Sequence, residues 1–230
     1  MGSSAPREWT AQYVAVEHST GGTRDIKTPE GRLDAKRFFE EVISVESPVH
    51  ADILYERFRS AWGVARLGAA IKPEVDRAMN RASPYGADER GFYRSGSIND
   101  GVVRVPAQGQ GIRKLTHVST EELSLAVCRT VQESVTVDDK NLISQVVEVF
   151  GGQRVSAESK TLMSEIIDSL INEGLIARDS LGPHHCDGRL NYSGLFKRGE
   201  HRPPQQLPRP QRSRRGGRYW GRCWRDLPAR

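Results

Sequence analysis

An α+β, mostly helical fold in two similar units is what this 230-residue sequence predicts, on three observations. The phrase VESPVHADILYERFRSAWGVAR, residues 45–66, returns as SVTVDDKNLISQVVEVFGGQR, residues 134–154. Trp62-Gly63 aligns on Phe150-Gly151 and Arg66 on Arg154 at a constant offset of 88, which also relates Lys72 to Lys160 and Val75 to Met163. Apolar residues recur at helical spacing in three successive segments of each half. Short β-like pieces bounded by turn residues accompany the helices.

In the first half, Phe38, Phe39, Val42 and Ile43 predict a helix near Leu33–Val45, which Pro48 stops. "PVH" follows as a short extended link. Asp52 is a candidate N-cap for the next helix, whose face carries Ile53, Leu54, Phe58 and Trp62 and which Gly63 ends in a left-handed cap. A third helix near Leu67–Ala82 carries the stripe Leu67, Ile71, Val75, Ala78, Met79 and Ala82, with Pro73 placing its stable start near Lys72. Phe92–Arg94 and Val102–Val105 then read as two strands of a hairpin, with Asp100-Gly101 at the turn. Helix, short strand, helix, helix and hairpin is the winged-helix order.

The second half repeats it. Ser119 or Thr120 caps a helix, with Glu122 placed as in a capping box, and Leu123, Ala126, Val127 and Val131 on its face. "VTV" is the short strand. Asp138 or Asp139 opens a helix with Leu142, Ile143, Val146, Val147 and Phe150 apolar, and Gly151-Gly152 ends it. The last helix carries Leu162, Met163, Ile166, Ile167, Leu170 and Ile171, Gly174 stops it, and "LIAR" returns as a strand with a weak or missing wing behind it. The expected organisation is a flexible segment 1–30 and a first winged-helix unit 31–106. A loop 107–118, a second winged-helix-like unit 119–180 and a disordered Arg/Pro-rich tail 181–230 follow.

Composition agrees with packed units between loose ends. Hydrophobic residues make up 37%, low for a chain that packs throughout. The net charge of +5 is uneven: residues 184–230 hold 12 Arg/Lys against 3 Asp/Glu, a net of +9, and residues 1–183 carry −4. The basic balance therefore belongs to the tail and not to the units. Three widely spaced cysteines, Cys128, Cys186 and Cys223, make a disulfide framework a poor reading and fit a reducing cytoplasm. No apolar run approaches a membrane span, and the N-terminus lacks the apolar stretch of a secretory signal.

The stretch ESPVHADILYERFRSAWGVARLGAAIKPEVDRAM resembles domain-of-unknown-function family 3320. The residues that carry the resemblance are Glu46, Pro48, Val49, His50, Leu54, Arg57, Phe58, Trp62, Gly63, Arg66, Gly68 and Ile71. "VVRVP" followed by "IRKLTHVSTEEL" is similar to the family's next stretch, with Ser119 where the family has proline. The resemblance spans about Arg37 to Arg178, closely in the first half and loosely in the second. It implies the C-terminal module of bacterial superfamily-1 helicase-like proteins. A helicase engine is absent, so the chain is expected to be a separated or truncated module, with a helicase-like ATPase protein as an expected partner.

No phosphate-loop, G-x-S-x-G or H-E-x-x-H pattern occurs, so no enzyme, cofactor or metal is expected. "AQGQGIRK" reads as the connecting loop, His50 as a polar side chain at a helix start, and "HHCD" at 184–187 as a coincidence within the tail. The sharper candidates are cationic. A winged helix places its third helix in the DNA major groove. Arg66, Lys72, Arg77, Asn80 and Arg81 lie on or beside that helix, and Arg94 and Arg104 flank the expected wing. Arg and Asn can hold phosphates or read base edges. Glu74 and Asp76 equally suit ordinary surface ion pairs with them. The last helix of the second unit presents Glu165, Asp168 and Glu173, which repel phosphate. The expectation is a non-catalytic DNA-binding accessory module, with a protein-interaction module of the same fold as the alternative. The tail's Arg, Tyr219, Trp220 and Trp224 could add charge and stacking, or form a non-native end.

Overall fold

Among residues 7–17, 24–95, 101–107, 111–134, 136–178 and 184–185, which the computed structural model describes, the chain forms six α-helices and six short strands. The fold is α+β and mostly helical, as the periodicities predict. The expected turn at Asp100 and the tail beyond His185 lie outside the described residues.

Capping chemistry sets the helix bounds. α1 (Pro29–Glu46) starts where the Thr28 side chain accepts a hydrogen bond from the Gly31 N–H, with Pro29 in the first turn. α2 (Ala51–Trp62) starts two residues earlier than a cap at Asp52 would place it. His50 is the cap, its Nδ1 accepting from the Asp52 N–H at 3.2 Å, because His50 has extended backbone in β2 (Val49–His50). Gly63, at φ 64°, ends α2 as expected. α3 (Lys72–Ala82) starts where Pro73 placed it. After a 3-10 turn at Leu115–His117, Ser119 caps α4 (Thr120–Glu133), Asp138 caps α5 (Asp139–Val149) and Ser156 caps α6 (Ala157–Asn172).

Two hydrophobic cores result. α1, α2 and α3 enclose the first, with Phe39 stacked on Phe58 at 5.8 Å and Phe58 on Trp62 at 4.4 Å. α4, α5 and α6 enclose the second around Leu123, Leu142, Phe150, Met163 and Ile167. The offset of 88 holds for burial as well as for letters. Ala35 and Leu123, Phe39 and Val127, Ile43 and Val131, Val49 and Val137, Leu54 and Leu142, Phe58 and Val146, Val75 and Met163, and Met79 and Ile167 are all buried. Each such aliphatic or aromatic side chain contributes roughly 1.5–3 kcal/mol by leaving water.

The strands depart from expectation in three places. The two strands of the expected hairpin, β3 (Phe92–Tyr93) and β4 (Val103–Val105), do not pair with each other. β3 pairs antiparallel with β2, and β4 pairs in parallel with β1 (Thr10–Gln12). Val103 is thereby buried in the second core beside Trp9, so the segment 7–17, expected to be flexible, is instead built into the fold. Behind α6, where a weak or missing wing was expected, a strand pair is present: β5 (Ala177–Arg178) pairs antiparallel with β6 (His184–His185), and His184 bridges back to Val137. His184 is fully buried, so the second core's sheet extends past the expected boundary at 180.

Candidate nucleic-acid interface

α3 buries Val75, Ala78 and Met79 and turns Lys72, Arg77, Asn80 and Arg81 outward. Three of these four are engaged. The Lys72 ammonium is 3.0 Å from both the Asp76 carboxylate and the Tyr55 hydroxyl and lies over the Tyr55 ring. Those hydrogen bonds, to Tyr55 and then Asp76, raise its pKa. Arg77 pairs with Glu74 at 3.0 Å, the ion pair that their spacing suggests. The Asn80 side-chain oxygen accepts from the Tyr93 hydroxyl at 3.0 Å, and burial pushes that phenol up to about 12. Arg81, at the C-terminal end of α3, and Arg66, in the loop before it, are exposed and form no ion pair with a described residue. The face thus has two open guanidinium groups flanking a partly self-neutralised stripe.

Arg94 and Arg104 do not join this face. Their expected place on a wing depended on β3 pairing with β4. Arg94 is half-buried, 3.3 Å from Asp88 and 2.9 Å from Glu121 on α4. Arg104 is 7% exposed. Its guanidinium donates to the carbonyls of Glu46 at 2.8 Å, Ser47 at 2.9 Å and Pro48 at 3.1 Å, and to the Glu122 carboxylate at 2.9 Å. It ties the end of α1 to the start of α4.

Around Arg104 lies a buried ionic network that no local pattern foretold. Glu122, read as a capping-box residue, directs its carboxylate to Arg113 at 2.7 Å and to the Arg104 backbone N–H at 2.7 Å. Burial alone would raise its pKa, but the charges of Arg113 and Arg104 outweigh that and hold it below the ordinary 4.5. Glu46, also fully buried, accepts from Arg57 at 3.0 Å, the Val16 N–H at 3.0 Å and the Tyr13 hydroxyl. Arg113 stacks over Tyr13, 4.4 Å from the ring centroid. The network is structural, and it joins the N-terminal segment to both cores.

A second basic feature lies beside the start of α6. An open groove of about 580 Å³ is lined by Ile112, Lys114, Val147, Arg154 and Ser156 among others. Arg154 is the residue that the 88-residue offset pairs with Arg66, and it too is exposed. The outward face of α6 nevertheless carries exposed Glu165, Asp168 and Glu173.

Residues 36–73 match the model of a family described as a protein of unknown function, DUF3320. The match covers 38 of the chain's 230 residues. It runs from α1 through β2 and α2 to the first residues of α3, and so includes Pro48, His50, Trp62, Gly63 and Arg66. No curated protein and no solved structure matches the chain. No described helix is long and apolar enough to cross a membrane.

Proposed function

We propose that this chain is a non-catalytic, cytoplasmic DNA-binding accessory module built of tandem winged-helix units, with the α3 face as its contact. The observation that carries the reading is the pair of open guanidinium groups, Arg66 and Arg81, flanking the helix that such a fold lays against DNA. Lys72 and Arg77 are exposed on the same helix and would exchange their carboxylate partners for phosphates. The winged-helix assignment draws support from the order of Val137, His184 and Ala177–Arg178 in the second segment's sheet, where the last strand lies between the other two.

The test is fluorescence anisotropy with a labelled DNA duplex across a salt series, on the full chain and on the chain ending at His185. Arg66→Ala with Arg81→Ala should weaken binding by both chains and reduce the slope of log K against log salt by about 1.8, at about 0.9 per lost phosphate contact. Binding that is unchanged by the double substitution and lost with residues 186–230 would overturn the α3 assignment. A second reading, a protein-docking module with a helicase-like ATPase as partner, is favoured by the acidic face of α6. Absence of DNA binding by either chain would select it.

A further inference from the structure

Where α2 leaves β2, His50, Asp52 and His117 bring three ligating atoms within 4.8 Å of one another. His50 and Asp52 belong to the first core-bearing segment. His117 ends the 3-10 turn that leads into α4, so both segments contribute. The Asp52 Oδ2 lies 3.3 Å from His117 Nε2 and 3.6 Å from His50 Nδ1. A tetrahedral zinc ion with bonds of about 2.0–2.1 Å has ligand-to-ligand edges of about 3.3 Å. Two of the three edges are therefore near the length that a metal requires. Two imidazoles and one carboxylate suit zinc and its first-row neighbours, whereas magnesium and calcium favour oxygen alone.

We infer that His50, Asp52 and His117 form a binding site for a divalent transition-metal ion of the zinc type, with its fourth position open to solvent.

The surroundings fix two ligands and leave the third adjustable. His50 is mostly buried, with Phe92 edge-on to its ring at 5.2 Å, and a Cβ at Gly91 would stand 3.3 Å from its Nε2. Its Nδ1 therefore faces Asp52, where it accepts the cap hydrogen bond from the Asp52 N–H at 3.2 Å. A metal would take over that lone pair, at the expense of a long and weak bond. Asp52 is the exposed arm of the cluster and the entry side for an ion. The imidazole planes of His50 and His117 are 13° apart with centroids 4.8 Å apart. A metal sits in the plane of each imidazole that binds it, so ligation turns the His117 ring toward Asp52. Lys114 is the nearby cation that opposes the metal. The site goes beyond the DNA-binding reading and does not depend on it: a bound ion would clip the start of α2 to the approach of α4.

The test is titration of the metal-free full chain with Co²⁺, followed by visible absorption, and then displacement by Zn²⁺. One Co²⁺ per chain is expected, with an N/O-type spectrum lacking a thiolate band. Asp52→Asn and His117→Gln should each weaken it at least about tenfold. Asp52 is exposed, so Asp52→Asn should unfold at the same temperature as the parent in EDTA, which separates lost ligation from lost folding. Cys186→Ser should leave binding unchanged. The inference is overturned by an absence of saturable binding. It is equally overturned by binding that survives Asp52→Asn and His117→Gln but disappears in Cys186→Ser.

Discussion

Replacing Glu122 by Gln removes one negative charge from a place where it is shared by two buried cations. The Glu122 side chain is 5% exposed, and those of Arg104 and Arg113 are 9% exposed each. Among the described residues, Arg57 is the partner of Glu46, and Glu122 is the carboxylate paired with both of the other arginines. Breaking a buried pair from one side costs about 3–5 kcal/mol, because the remaining charge is left uncompensated in a poorly solvated place. Gln keeps one acceptor oxygen, which retains part of the hydrogen bonding and favours the lower end, about 3 kcal/mol. The assay is urea unfolding of both chains by circular dichroism at neutral pH. Arg77→Ala, which opens the exposed pair with Glu74, is the internal control and should cost under about 1 kcal/mol. A loss below about 1 kcal/mol for Glu122→Gln would refute the claim that the network joins the two cores. The same group sets an acid limit. Its folded pKa is depressed below 4.5, so its stabilisation is complete above 4.5 and is lost as pH falls through the lower folded value. The Gln variant should therefore show a shallower loss of stability below pH 4.5.

Other positions test other parts of the fold. Gly31→Ala should destabilise by about 1–3 kcal/mol, read as a lower unfolding midpoint, because a Cβ there would lie 2.0 Å from the Asp25 carbonyl oxygen, a backbone atom with no room to yield. Trp9→Ala should cost about 3–5 kcal/mol by the same assay, since Trp9 is 8% exposed in the second core and donates to Glu133 at 2.6 Å. An N-terminal segment that did not pack would show no loss. Thr28→Ala should cost about 1 kcal/mol through loss of the α1 cap.

What the sequence revealed was what neighbouring residues decide among themselves. The stripe of Val75, Ala78 and Met79, the left-handed Gly63 and the cap at Asp138 are each settled within a few residues, and each lies where the pattern placed it. Pairing between distant residues was not legible. β1 is three residues long and finds its partner 93 positions away, and no periodicity can show in so short a strand. Arg104 reads as a wing cation until β4 is seen to leave β3. Arg113 and Glu122 look like a loop cation and a helix-start acid until burial brings them together. The outward direction of Lys72, Arg77, Asn80 and Arg81 on α3 was legible, as was the Arg77–Glu74 pair. The engagement of Lys72 by Tyr55 was not, because Tyr55 is on another helix.

The two segments use one register of buried positions and yet complete their sheets differently, and β4 explains why. In the second segment the chain returns after β5 and supplies its own last strand, so His184 lies between Val137 and Ala177–Arg178. In the first, the strand that would have done the same is β4, and it crosses to β1 and the second core, carrying Arg104 into the junction. Two small cores, each marginal alone, are thereby coupled by a strand and an ionic network rather than by a flexible linker. The consequence for function is directional. Among the described residues of the first segment, β3 and β4 do not pair with each other, and the exposed cations lie on α3 and in the loop at Arg66. The second has the β5–β6 pair behind α6 but presents acidic residues on α6. The proposed contact of the first segment therefore draws on α3 and on the exposed guanidinium groups of Arg66 and Arg81.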